Sequence, residues 1–188
     1  MKLIIGLGNP GADYTHTRHN LGWDAVGMSA KGLEVAFVER SRFHAEIAEG
    51  RLGGDKLILA HPLTFMNASG EAVQALMQFY HVELQDILIV QDEMDYALGQ
   101  VAFCAEASAA GHNGISSIQT ALGTTNIQRL RLGIGRPSGE MTKEAYVLQR
   151  FTDLEQAQVA LVLTQAEQAI RTWCQDGITQ AMNRWNKR

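Results

Sequence analysis

Residues 3–20 read LIIGLGNPGADYTHTRHN, an apolar run followed by a polar stretch that contains the G-x-G-x-x-G pattern. In dinucleotide-binding proteins the last glycine of that pattern opens a helix whose N-terminus faces a pyrophosphate. Here Pro10 favours extended backbone in the residue before it, and residues 12–20 show no apolar helical period. The stretch therefore predicts a strand that turns into a loop, with Asn9 and His19 held in one cleft, and disfavours a dinucleotide site.

Two further runs, 55–60 and 86–91, are short, rich in Ile, Val and Leu, and bounded by polar or turn residues, as buried strands are. Residues 129–135 carry apolar side chains at alternate positions, which predicts another strand. Between and after the strands, apolar residues recur every three or four positions, which predicts helices at 23–33, 69–81, 113–122 and from 151 onward behind a Thr152 cap. Gly53 and Gly54 predict a hairpin. The expected fold is an α/β single domain over residues 1–188, a twisted mixed β-sheet with helices on both faces.

The chain has 188 residues, a formal net charge of −4 and two cysteines. The length suits one domain, and the negative charge argues against broad, sequence-independent binding of nucleic acid. The cysteines lack C-x-x-C spacing and no apolar stretch approaches 18 residues, so we expect a cytoplasmic protein without a membrane segment. Two groups of basic residues could still contact phosphate locally: Arg129, Arg131, Arg136, Lys143 and Arg150, and at the C-terminus Arg184, Lys187 and Arg188.

Polar side chains follow the predicted strands, at the edge of an α/β sheet where ligands usually bind. They are Asn9 and His19 after the first strand, Asn67 after the second, Asp92, Glu93 and Asp95 after the third, and His112 and Asn113 further on. The set contains neutral amides, carboxylates and histidines, and no G-x-S-x-G nucleophile or phosphate-binding G-x-x-x-x-G-K-[ST] loop occurs. This composition favours a histidine base that is oriented by a carboxylate and activates water.

A metal-dependent hydrolase is an alternative interpretation of the same residues. His16 and His19 stand three positions apart, and with Asp92, Asp95 or His112 they could form a ligand set. Against this hypothesis, HTRH lies in a predicted loop and no H-E-x-x-H motif is present. We therefore expect no metal and no other cofactor.

Five stretches of the chain, taken together, resemble the motifs of the bacterial-type peptidyl-tRNA hydrolases, in the same order and at the same spacing. They are GLGNPGADYTHTRHNLG, PLTFMNASGEAV, DEMD, GHNGISSI and RLRLGIGRP. The resemblance implies a monomeric single-domain enzyme that hydrolyses the ester between a peptide and the 3′-terminal ribose of tRNA. It also implies that His19 is the general base and Asp92 its orienting partner.

The same resemblance implies further binding residues. Peptide, water or carbonyl would be positioned by Asn9, Asn67 and Asn113, Tyr14 and Met66 would line the same crevice, and Arg131 would bind phosphate of the tRNA. Separately, the loop-like composition of residues 136–145 predicts a lid over the acceptor end, with Lys143 contacting phosphate.

This sequence departs from the family pattern where tRNA is expected to bind. The family usually has a basic residue at the position of Cys104, and Glu106 adds a negative charge nearby. The departure leaves a second hypothesis open, a relative that binds tRNA or peptides with lost or altered esterase activity.

Overall fold

A computed structural model describes residues 1–186. Seven strands form one sheet: β1 (Lys2–Gly6), β2 (Val38–Arg40), β3 (Ala45–Leu52), β4 (Asp55–Pro62), β5 (Ile87–Glu93), β6 (Val101–Cys104) and β7 (Arg129–Gly133). Five α-helices accompany them: α1 (Leu21–Gly32), α2 (Ser69–Tyr80), α3 (Asn113–Leu122), α4 (Lys143–Val147) and α5 (Gln156–Trp185).

The sheet is mixed, with the strand order β2-β3-β4-β1-β5-β7-β6. The central strands β4, β1, β5 and β7 run parallel, whereas β3 and β6 run antiparallel to their neighbours. The hairpin predicted at Gly53 and Gly54 joins β3 to β4, because Leu52 pairs with Asp55 across it. The predicted α/β fold with a mixed sheet is confirmed.

Alternate residues of each central strand face opposite helical layers. On one face Ile4, Leu88 and Leu130 pack with residues of α1 and α5, and on the other Leu3, Ile5 and Ile89 pack with residues of α2 and α3. Both clusters consist of fully or almost fully buried side chains, so the strands read as continuous apolar runs. The two layers hold the carboxyl ends of the parallel strands at one edge.

The glycines of the opening pattern serve packing in this fold. A Cβ on Gly6 would lie 2.5 Å from the carbonyl oxygen of Gly22 in α1, and one on Gly8 would lie 2.7 Å from the Trp23 ring. After Gly11 the chain forms a 3₁₀ turn over Ala12–Tyr14 instead of the α-helix that a pyrophosphate site needs. These contacts agree with the expectation that this stretch is not a dinucleotide site.

Two sequence predictions about the C-terminal third require correction. Thr152 does not cap α5: its hydroxyl and amide donate to the carboxylate of Glu155, and the helix begins at Gln156. Residues 136–142 are irregular, as expected of a loop, but the last three residues of the 136–145 segment belong to α4, whose N-cap is Thr142. Helix α5 is also interrupted at Gly177, where φ is 77°.

None of the helices in residues 1–186 combines the length and the apolar character needed to cross a membrane. The basic residues Lys187 and Arg188, considered above as a possible RNA contact, lie outside the described part of the chain.

Candidate active site

The candidate site centres on His19 and Asp92. His19 belongs to a 3₁₀ turn, Arg18–Asn20, directly before α1, and Asp92 lies near the carboxyl end of β5. His19 Nδ1 is 2.9 Å from Asp92 Oδ1, and both side chains are buried. The two residues that the sequence predicted as a base and its orienting partner are therefore brought into direct contact.

His112 binds the same carboxylate oxygen. Its Nε2 lies 3.0 Å from Asp92 Oδ1, while its Nδ1 accepts a hydrogen bond from the Ile115 amide and so caps α3. Because Nδ1 of His112 accepts, Nε2 carries the proton and donates to Asp92. Asp92 thus accepts from two imidazoles, whose ring centroids are 4.9 Å apart.

This geometry determines which nitrogen of His19 is free. An ionised Asp92 accepts a hydrogen bond from the N–H at Nδ1 of His19. In the neutral imidazole Nε2 is therefore unprotonated and available as a base. Burial by itself lowers the pKa of His19, but the charge of Asp92 and the hydrogen bond to it outweigh burial, and the pKa lies above its ordinary value. Burial of Asp92 opposes ionisation, yet the two histidines lower its pKa well below its usual range.

A cavity of about 270 Å³ opens beside this cluster. Its wall includes His19, Asp92 and His112, together with Asn113 at the start of α3 and Lys143 and Val147 of α4. Of the residues predicted to bind substrate, the structure therefore places Asn113 and Lys143 around the histidine pair.

A hydrogen-bonded chain positions Asn9 next to the site. The side-chain amide of Asn20 accepts from the Asn9 amide and donates to the Asn9 carbonyl, both over 2.9 Å. Asn9 in turn uses its Oδ1 to accept from the Met66 amide over 2.8 Å. Asn20, Asn9 and Met66 are all buried, so the loops after β1 and β4 are fixed to each other.

The other predicted binding residues lie along the rim of these two loops. Tyr14 is half-buried and packs edge-on against Phe65, with ring centroids 6.2 Å apart, and Phe65 is exposed. Asn67 is exposed one residue beyond Met66. None of these side chains belongs to the wall of the 270 Å³ cavity.

The basic residues predicted as a phosphate-binding group are mostly engaged within the protein. Arg131 lies 3.6 Å from Glu93 and stacks on Tyr96, Arg136 lies 2.5 Å from Asp95, and Arg129 is buried against the Ser108 carbonyl. Within residues 1–186, Lys143 is exposed and makes no ion pair.

The two cysteines are buried and unpaired with each other. Cys104 ends β6 next to the Arg129 guanidinium, its Sγ 3.8 Å from Nη2. Burial raises the pKa of Cys174 to about 12, which keeps that thiol protonated and unreactive.

The ligand set expected for a metal-dependent hydrolase is only partly assembled. His16 is turned away from His19, with its Nδ1 3.2 Å from Asp24. His19, Asp92 and His112 have candidate ligand atoms within 4.8 Å of one another. A metal ion on those atoms would have to displace the hydrogen bonds of both histidines to Asp92.

Two residues of the site have roles that the sequence analysis does not predict. His112 enters it only as a possible metal ligand, although a histidine at the start of a predicted helix is a possible cap. Asn20 lies in the opening stretch, and only the fold brings it against the backbone of Asn9.

The fold and site define an α/β protein with a histidine–carboxylate–histidine cluster at the carboxyl edge of a mixed sheet. A family model described as peptidyl-tRNA hydrolase matches residues 3–188. The chain belongs to the peptidyl-tRNA hydrolase family.

Relatives and solved structures agree with this assignment. The peptidyl-tRNA hydrolase of Bacillus cytotoxicus is 41% identical over 99% of this chain and 100% of its own length, and that of Desulfitobacterium hafniense is 41% identical over 100% of both. The crystal structure of peptidyl-tRNA hydrolase from Acinetobacter baumannii superposes with a TM-score of 0.93 at 33% identity, covering 99% of this chain and 94% of that one.

Proposed function

We propose that this chain hydrolyses the ester bond between peptide and tRNA in peptidyl-tRNA, with His19 as the general base for the attacking water. The contact between His19 Nδ1 and Asp92 carries the proposal, because it leaves Nε2 free to accept a proton. The family membership supplies the substrate. The alternative of a binding relative without hydrolysis is not favoured, since the curated relatives are named as hydrolases.

The reaction can be written from the geometry of the cluster. Nε2 of His19 takes a proton from water, and the hydroxide adds to the ester carbonyl carbon. The tetrahedral intermediate then expels the ribose 3′-oxygen, which takes the proton from the imidazolium as the carbon–oxygen bond breaks. Asp92 stabilises the imidazolium between these steps, and no covalent link to the enzyme forms.

Substrate recognition is assigned to three asparagine side chains and to two side chains that would line the peptide path. Asn9, Asn67 and Asn113 would hold the peptide backbone, the water or the carbonyl, and Tyr14 and Met66 would line the peptide path. Neutral amides suit this task because they bind main-chain groups and do not select side chains. An ester is also an easier substrate than an amide, since its alkoxide is the better leaving group.

Contacts to tRNA are assigned to Arg131 and Lys143, with residues 136–145 as a lid over the acceptor end. Lys143 supports the lid because it borders the cavity from the first turn of α4. Arg131 would have to exchange its contact with Glu93 for phosphate. We further propose that the enzyme is a metal-independent monomer without a cofactor, acting in the cytoplasm where peptidyl-tRNA arises.

The test is release of peptide from purified N-acetyl-aminoacyl-tRNA in the presence of a chelator. We expect turnover by the wild type and a loss of about 100- to 10,000-fold in His19→Ala, the usual contribution of a general base. Full activity of His19→Ala would contradict the role of His19. Loss of wild-type activity on exhaustive dialysis against chelator, with recovery on adding a divalent metal, would contradict metal independence.

A further inference from the structure

Arg18 is a buried cation that the proposed reaction does not use. Its guanidinium makes two hydrogen bonds to the carboxylate of Glu155, of 2.8 and 2.9 Å. The same guanidinium lies 4.5 Å from the ring centre of Tyr146 and 4.6 Å from that of Phe151. Only 5% of the Arg18 side chain is exposed, so the contact is far more enclosed than an ordinary surface ion pair.

Main-chain contacts extend this attachment along the residues before His19. The Arg18 amide donates to the Gln149 carbonyl over 2.9 Å, and Thr17 forms an antiparallel bridge with Arg150. The Arg150 side chain donates to the Thr15 carbonyl. The segment that follows α4 is thus joined to the loop that ends at the proposed base.

The segment that holds Arg18 also borders the cavity. Lys143, Glu144 and Val147 of α4 form one wall, and Tyr146, on the same short helix, contacts the Arg18 guanidinium. Tyr146 is fixed in turn by its hydroxyl, which donates to the Ile134 carbonyl over 2.6 Å. Substrate in the cavity would therefore touch a helix that is anchored to the residue directly before His19.

We propose that Arg18 is a positioning residue, which holds His19 in register with Asp92 and couples the α4 wall of the cavity to the base. The proposal rests on the proposed function of His19. Arg18 does not reach the reacting atoms; it acts through the backbone of the Arg18–Asn20 turn.

Arginine suits this position better than lysine. A planar guanidinium can donate two parallel hydrogen bonds to one carboxylate while its faces stack on aromatic rings, and an ammonium cannot do both. Glu155 is matched to it: the hydrogen bonds from Arg18, and then those from Thr152, lower the Glu155 pKa to about 2. The carboxylate therefore remains ionised at any pH at which the enzyme would work.

The charged and titratable groups around His19 determine how its pKa would change if the ring moved. Asp92 of β5 and His112 at the start of α3 contact the His19 ring. Glu93 of β5 and Lys143 and Glu144 of α4 line the same cavity. Among these, Asp92 is the group that raises the His19 pKa against the effect of burial. A His19 ring that moves away from Asp92 should therefore titrate at lower pH.

The experiment measures the His19 ring by NMR titration and the kinetics of peptide release in parallel, in Arg18→Met, Arg18→Lys and wild type. We expect Arg18→Met to lower the His19 pKa and to reduce kcat by about 10- to 100-fold, as expected for a displaced catalytic group, with KM changed less. Arg18→Lys should retain only part of the wild-type elevation of the His19 pKa and only part of the wild-type kcat. Glu155→Gln offers a milder disruption should Arg18→Met fail to fold.

The matched control is Arg171→Met, which breaks another arginine–glutamate contact, with Glu167 on α5. It should leave the His19 titration and kcat unchanged. If Arg18→Met and Glu155→Gln, verified as folded, lower the melting temperature but leave both readouts at their wild-type values, Arg18 is only a structural clamp and the proposal is wrong. The NMR titration needs no substrate, so failure of the proposed hydrolysis would be seen separately, as inactivity of the wild type.

Discussion

His112 donates from Nε2 to the Oδ1 oxygen of Asp92 over 3.0 Å. The same oxygen accepts from His19 over 2.9 Å, so one carboxylate oxygen holds two imidazoles. Since His112 is also tied to α3 through the Ile115 amide, Asp92 is fixed by a group that is itself immobile. The carboxylate is therefore positioned before a proton reaches His19, as preorganised electrostatic stabilisation requires.

We expect His112→Ala to lower kcat by about tenfold, because Asp92 loses one of its two fixed donors, and a hydrogen bond to a charged group contributes roughly 1.5 kcal/mol or more. The loss should be smaller than that in His19→Ala, since the base itself remains. Steady-state kinetics on N-acetyl-aminoacyl-tRNA would measure it. A loss as large as that of His19→Ala would instead indicate that His112 handles a proton in the reaction.

Asp92→Asn should move the pH dependence of the reaction. A general base works in its neutral form, so kcat rises with pH through the His19 pKa. Asp92 raises that pKa, and the neutral amide removes its charge, so the acidic limb should shift to lower pH while the plateau falls. A pH–rate profile of the mutant with an unmoved acidic limb would contradict the pairing.

The same pair predicts opposite effects of pH on stability. The His19 pKa is raised in the folded state, so its contribution is complete below the unfolded pKa and is lost as pH rises through the folded value. The Asp92 pKa is lowered, so its contribution is present above the unfolded pKa and is lost as the solution is acidified. Below about pH 4, where an ordinary aspartate titrates, urea unfolding of Asp92→Asn should therefore show a weaker loss of stability with acidification than the wild type. Identical pH dependences would contradict this assignment.

Asn20→Ala tests whether the position of Asn9 matters for function. The change leaves the buried amide and carbonyl of Asn9 without partners, which costs about 1–3 kcal/mol for each unsatisfied group. We expect a lower melting temperature and a raised KM. The matched control is Asn186→Ala, because Asn186 pairs in the same way with the amide and carbonyl of Phe103 on the edge strand β6. Equal effects of both variants on KM would argue against a special role of Asn9.

The sequence predicted the central strands and the main helices from local patterns, and the rule that strand ends meet at one edge gathered the candidate polar residues. The specific pairing of His19 with Asp92 was implied by the resemblance to the family's motifs. The sequence did not predict the ion pair between Arg131 and Glu93 or the hydrogen bond that Thr152 donates to Glu155, because both are contacts of the folded structure. His112 and Asn20 were missed for the same reason. A hydrogen bond between residues 20 positions apart, such as that from His112 to Asp92, produces no periodic pattern in the sequence.

Lys143→Glu tests whether the wall of the cavity binds RNA. Within residues 1–186 Lys143 is the member of the predicted phosphate-binding pair without a carboxylate partner, whereas Arg131 already faces Glu93. A phosphate contact contributes counterion release, so its loss should reduce the slope of log(kcat/KM) against log(salt) by about 1, with kcat little changed. Kinetics at several salt concentrations would measure this slope. Lys31→Glu, an equal charge change at the exposed end of α1, is the control and should leave the slope nearly unchanged, because long-range effects of an exposed charge are screened within about 10 Å at 0.1 M salt. If both variants change the slope equally, net charge explains the effect and the specific role of Lys143 is wrong.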